Sequence, residues 1–273
     1  MEYPQKRPTR TFCIDHLDKN LRSEIVLKDR ELINLDNPDR AIEVCSVLIN
    51  SHPENASAYL CRGDAYIDLG RFAEAISDFN KGIGSSPGIE TSLCLYADRS
   101  FSFTRKRNFR EALSDLKKLI TLAGEAKTDN PGMKDFWVDM FKAYAYTQRG
   151  YIHLCLWDLN KAIADCTDVI KSFRPSLQIP AHNIRVSALM HLGRFDEAEK
   201  DCREVLSRDA ENDEFVARTN LAWILLRRKD YDSAAKEIMQ ALKEDPQHLL
   251  TKTNLGDLLL GLNCKESAVE QYT

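Results

Sequence analysis

The hexapeptide R-F-A-E-A-I, Arg71 to Ile76, is echoed by N-F-R-E-A-L at Asn108 to Leu113, by R-F-D-E-A-E at Arg194 to Glu199 and by D-Y-D-S-A-A at Asp230 to Ala235. Self-similarity of this kind is the mark of a stacked repeat architecture. Extending the register places Ala41, Ala75, Ala112, Ala162, Ala198, Ala234 and Ala268 in equivalent positions, at steps of 34, 37, 50, 36, 36 and 34 residues. Around each alanine, apolar residues recur three and four apart, as in Phe72, Ala75, Ile76, Phe79 and Ile83. That spacing predicts an amphipathic helix for the second half of every unit.

The first halves behave alike. Tyr59, Ala65, Tyr66 and Leu69 of one unit match Leu221, Ala222, Leu225 and Leu226 of another, ahead of a break at Gly70 or Lys229. Each unit therefore reads as a helical hairpin, and since one hairpin cannot bury its apolar face alone, neighbours must stack on it. A small residue on the first helix (Gly63, Ser100, Gly150, Ala222, Gly256) and the alanine on the second let the two backbones approach while bulkier neighbours interlock.

With a small residue at position 8 of the unit, an aromatic at 17, Ala at 20 and Pro at 32, the pattern resembles the tetratricopeptide repeat. The unit starting at Ala56 carries it best, through Tyr59, Gly63, Tyr66, Gly70, Phe72, Ala75, Phe79 and Pro87. The resemblance runs from about Arg22 to the C-terminus. It implies an all-α, right-handed superhelical solenoid of about seven helix-turn-helix repeats, starting at Arg22, Ala56, Leu93, Ala143, Ile179, Phe215 and Leu249, after a tail over residues 1–21. Four positions depart from the pattern: Asp29 and Val186 stand where a small residue belongs, Pro38 replaces the aromatic, and Trp157 holds a turn position that is Gly elsewhere. The last unit stops at Thr273 inside its second helix, so the expectation is that a further domain follows or that another chain, through self-association, covers the end.

The 50-residue step holds an insertion over 123–142. It opens with a loop from Gly124 to Gly132, after which Met133, Phe136, Trp137, Met140, Phe141 and Tyr144 recur at helical intervals, so the fourth unit's first helix is expected to begin early. Two readings stay open for this stripe. It packs back over the preceding hairpin as core, or Phe136, Trp137, Met140 and Phe141 form a second apolar partner site.

Composition narrows the function classes. With 43% hydrophobic and 29% charged residues the chain reads as folded, and a net charge of −4 with both signs spread along it offers no basic face for nucleic acid. No run of about 18 apolar residues could span a bilayer. The N-terminus shows no signal sequence, so the expected location is the cytoplasm, with the nucleus also open. The eight cysteines include no CxxC pair, and Cys45, Cys166 and Cys202 fall on an apolar repeat position, which suits a reducing compartment. The six histidines show no metal-ligand spacing, and Gly82 to Gly88 follows a helix and lacks the Gly-Lys-Ser/Thr of a phosphate loop. No nucleophile stands out, so no enzyme activity, metal or cofactor is expected.

In the family, first helices line a concave groove through positions 2, 5, 6, 9, 12 and 13. The clamp that some members use for chaperone C-terminal carboxylates needs Lys, Asn, Asn, Lys and Arg where this chain has Leu60, Asp64, Asp98, Tyr144 and Gln148, so that mode is not expected. The fourth to seventh units instead offer Tyr144, Gln148, Tyr151, Asn183, Ser187, Asn220, Trp223 and Asn254, with Arg227 as the fixed charge. The resemblance thus implies a non-catalytic scaffold or adaptor that takes a largely uncharged peptide or helix of a partner protein. The alternative is the targeting or regulatory repeat region of a larger enzyme or co-chaperone whose remaining domain lies beyond Thr273.

Overall fold

The computed structural model describes residues 37–125, 131–208, 214–264, 267 and 271. The unit expected from Arg22, the tail and Ala268 lie wholly or partly outside them. Among the described residues every regular element is helical. The order is α1 Pro38–Ser51, α2 Ala56–Asp68, α3 Phe72–Gly84, α4 Ile89–Arg105, α5 Phe109–Glu125, α6 Pro131–Cys155, α7 Leu159–Ser172, a 3-10 turn Pro175–Leu177, α8 Ile179–His191, α9 Phe195–Leu206, α10 Glu214–Arg227, α11 Tyr231–Glu244 and α12 Leu249–Gly261. They form two compact units, one ending at Ile152 and one beginning at His153. In the first, α1 to α5 pack in sequence; in the second, α7 to α12 do so. Within each unit the first helices of successive hairpins also touch: α2 with α4, α8 with α10, and α10 with α12.

Helix starts follow from side-chain chemistry. Asn37 Oδ1 accepts from the Arg40 amide at 3.2 Å and Asn55 Oδ1 from that of Ala58 at 2.9 Å, satisfying donors that the first helical turn leaves open. Helix ends share one device. The residue entering each turn from a first to a second helix has positive φ: Gly70, Arg107, Trp157, Gly193, Lys229 and Asn263. The amide that follows it bonds a carbonyl five residues back, as Arg71 does to Tyr66 and Asp230 to Leu225. This is the Schellman closure of a helix. Only two of the six are glycine, so at the other four the chain tolerates a left-handed residue for the sake of the turn.

The hairpin interior is built on small residues. Ala75, Ala112, Ala162, Ala198 and Ala234 are fully buried. A methyl group placed on Gly63 of α2 would lie 2.3 Å from the ring of Phe79 on α3, itself fully buried. Phe79, Leu95, Leu116, Leu119 and Phe141 anchor the core of the first unit, and Val186, Leu189, Cys202, Leu221 and Ile224 that of the second.

A charged network runs alongside this apolar core. Arg62 on α2 grips Asp78 on α3, Arg99 on α4 grips Asp115 on α5, and Arg185 on α8 grips Asp201 on α9; each pair is two-pronged, at 2.6 to 2.9 Å, and 16 residues apart. The spare Nη1 of each arginine reaches back to the second helix of the preceding hairpin. Arg62 finds Ser46 Oγ at 2.9 Å, Arg99 finds Asn80 Oδ1 at 2.6 Å, and Arg185 finds Thr167 Oγ1 at 2.9 Å. An aromatic ring one turn earlier steadies the guanidinium, Tyr59 under Arg62 and Tyr96 under Arg99. Arg149 and Asp165 repeat the residue pair at the same spacing, and Arg149 lies 4.9 Å from the Tyr146 ring. In α8 the aromatic position is His182, whose Nδ1 donates to Asp201 at 3.1 Å. In α10 the arginine moves one turn earlier: Leu221 takes its place, and Arg218 meets the longer Glu237 at 3.2 Å.

Equivalent aspartates titrate in opposite directions. Burial pushes the Asp115 carboxyl above its ordinary value, and the Arg99 bonds only partly offset this. Burial acts the same way on Asp201, but Arg185 and His182 together hold it below the ordinary range. The stabilising contribution of Asp201 is thus complete above about pH 4, the ordinary value, and is lost as pH falls through its lower folded value. Asp115 has the other sign and is relieved on protonation.

Two outcomes follow. Gly63→Ala is expected to destabilise the first unit by about 1 to 3 kcal/mol in urea unfolding, because Phe79 has no room to yield; an unchanged midpoint would refute the close approach. Asp201→Asn is expected to flatten the acid loss of stability below about pH 4 whereas Asp115→Asn does not; parallel pH profiles for the two variants would contradict the role given to His182.

Candidate functional site

The side chains expected to meet a partner lie on first helices, so their fate depends on what packs beside those helices. Tyr144, Gln148 and Tyr151 belong to α6 in the first unit. Tyr144 is buried and its hydroxyl donates to the Ala97 carbonyl at 3.3 Å; Gln148 is buried, and Tyr151 is half-exposed. The others belong to the second unit. Asn183, Ser187, Asn220 and Asn254 are all buried, with Ser187 Oγ bonded to the Asn183 carbonyl at 3.2 Å. Asn254 on α12 donates Nδ2 to the Thr219 carbonyl of α10 at 2.9 Å, and Thr219 and Thr251 meet at 3.3 Å.

Most of the eight residues expected to line a groove are therefore not at the surface. Six of the eight residues are between 2% and 9% exposed, because neighbouring first helices close over them. They form a polar floor between helices. Asn220 differs from Asn254 in one respect: its Nδ2 is buried with no hydrogen-bond partner among the described residues.

Other side chains on these helices of the second unit stay accessible. Trp223 is half-buried, its ring edge-on to Phe195 at 5.8 Å and covered on one side by the Arg227 guanidinium at 4.7 Å. Met190 and Leu226 are partly buried beside the same core, and Leu260 of α12 is 46% exposed. The repeat register already puts Met190, Trp223, Leu226 and Arg227 at groove positions, with Trp223 as the aromatic among them.

The second apolar site fares differently. Phe141 is 1% exposed and Trp137 and Met140 pack against the core of the first unit, so three of the four residues serve packing. Phe136, edge-on to Trp137 at 5.9 Å, is the exposed one. On the first unit's other first helices, Asp98 is fully buried and Asp64 is 9% exposed, so neither offers much charge at the surface.

Among the described residues no three ligand-type side chains come together as a metal site, and no helix is long and apolar enough to cross a membrane. The seven described cysteines are unbridged. Burial pushes the thiols of Cys94, Cys166 and Cys202 upward, so they behave as small hydrophobes.

Tetratricopeptide repeat profiles match residues 30–88 and 189–253. No curated protein sequence matches significantly. Among solved structures, a tetratricopeptide repeat protein from Parabacteroides merdae is 17% identical with a TM-score of 0.65, covering 92% of this chain and 91% of its own. A signal transduction ATPase with numerous domains from Pyrococcus horikoshii, which carries a tetratricopeptide repeat sensor, is 16% identical with a TM-score of 0.62; 93% of this chain aligns with 44% of it. An assembly chaperone of RpL4 (Acl4) is 15% identical with a TM-score of 0.55, covering 95% of this chain and 99% of its own. At these identities the likeness is one of fold. Stacked helical hairpins, alanine-centred packing and the two matched segments make this a chain of tetratricopeptide-type repeats, a repeat that generally mediates protein–protein interaction.

Proposed function

We propose that the chain is a non-catalytic scaffold that takes a segment of a partner protein across the first helices of its repeats, with the face of α8, α10 and α12 as the principal site. The observation that carries this is Trp223. It presents a half-exposed aromatic platform, fixed by Phe195, over a floor whose polar groups are uncharged. A rigid aromatic surface gives contact area at low entropic cost, the property that suits an interaction anchor. Tyr151, half-exposed on α6, is a second anchor within its own unit.

Affinity capture with the full chain, comparing wild type with Trp223→Ala and with Tyr151→Ala, tests the reading. Partners are expected to be lost from Trp223→Ala while far-ultraviolet circular dichroism stays unchanged. A partner set identical to wild type would refute the assignment of the site.

A further inference from the structure

Arg227 stands apart from six other arginines of the second unit. Arg185, Arg194, Arg203, Arg208, Arg218 and Arg228 each hold a carboxylate. Arg227 reaches none among the described residues; its one contact there is the Trp223 ring. Nor is it needed to close its helix. The carbonyls at the end of α10 are already taken, Leu225 by the amides of Arg228 and Asp230 and Leu226 by that of Lys229. Arg227 is therefore an exposed guanidinium over an indole, with no carboxylate partner among the described residues.

We infer that Arg227 is a specificity residue of the α8, α10 and α12 face, and that it selects a partner segment with an acidic side chain next to an apolar one. The inference rests on the reading of that face as the partner site. Charge complementarity carries it. The floor supplies no fixed charge, the rim is Trp223, Leu226 and Leu260, and the uncompensated cation at its edge calls for an anion beside an apolar group. Stacking holds the planar fork before binding, so two parallel hydrogen bonds to a carboxylate form with little further loss of side-chain freedom. First helices flank α10 on both sides, α8 and α12, so a segment crossing them continues beyond Arg227 in both directions. The anion is accordingly an internal Asp or Glu rather than a chain end.

The test uses the full chain and a displayed library of random twelve-residue peptides, selected on wild type, Arg227→Gln and Trp223→Ala. Wild type is expected to enrich Asp or Glu beside an apolar residue. Arg227→Gln is expected to bind those peptides at least about tenfold more weakly, with the loss reproduced by changing the peptide's acidic residue to its amide. C-terminal amidation of the peptide should leave affinity unchanged. Peptides lost from Trp223→Ala yet bound equally by Arg227→Gln overturn this inference and leave the site standing. Affinity that depends on a free C-terminus and not on the acidic side chain overturns it in favour of end recognition. Recovery of no peptide above background by wild type overturns both this inference and the site.

Discussion

Each ladder arginine has to satisfy two helices at once. Its carboxylate partner lies on the second helix of its own hairpin and its third acceptor on the second helix of the hairpin before. Such pairs add little net stability compared with apolar side chains of similar size, since burying the charges costs about as much as their attraction returns. Their effect is on alternatives. A hairpin slipped by one residue, or stacked one turn out of place, would leave a buried carboxylate facing no cation, and that penalty excludes misregistered stacking. The alanine and glycine contacts set how closely two helices approach; the ladder sets which turn meets which.

Committing the charged side chains to the seams between hairpins leaves other faces free of them. In the second unit the first helices meet through Thr219, Thr251 and Asn254, all neutral and all buried, while Trp223 and Arg227 remain at the surface. A neutral floor with one aromatic platform and one mounted cation discriminates by a single charge and by shape. The same division of labour explains why Cys94, Cys166 and Cys202 are quiet: they are fully buried, and burial keeps their thiols protonated.

Much of this is legible in the chain before it is folded. The alanine register and its apolar companions are enough for helical hairpins, because close approach of two helices demands a small residue at a fixed place in every unit. The ladder is present in the sequence as Arg62 and Asp78, Arg99 and Asp115, Arg185 and Asp201, but abundant charge hides a 16-residue spacing unless helices are already paired. The register marks the breaks at Trp157 and Lys229, but the left-handed backbone at Arg107, Trp157 and Lys229 is hidden: without glycine, nothing local announces it. The repeat register puts the asparagines on the right helices and misjudges their depth. Whether a side chain on a first helix is floor or rim depends on how closely the next first helix approaches, which no pattern within one helix records.

The most direct measurement is hydrogen exchange of the full chain carrying Arg99→Met. If one arginine ties two hairpins, amides of α3, α4 and α5 lose protection together, because Asn80 on α3 loses its donor when Asp115 loses its partner. Loss confined to α4 and α5, with α3 protected as in wild type, would contradict the account and reduce the ladder to a set of pairs within single hairpins.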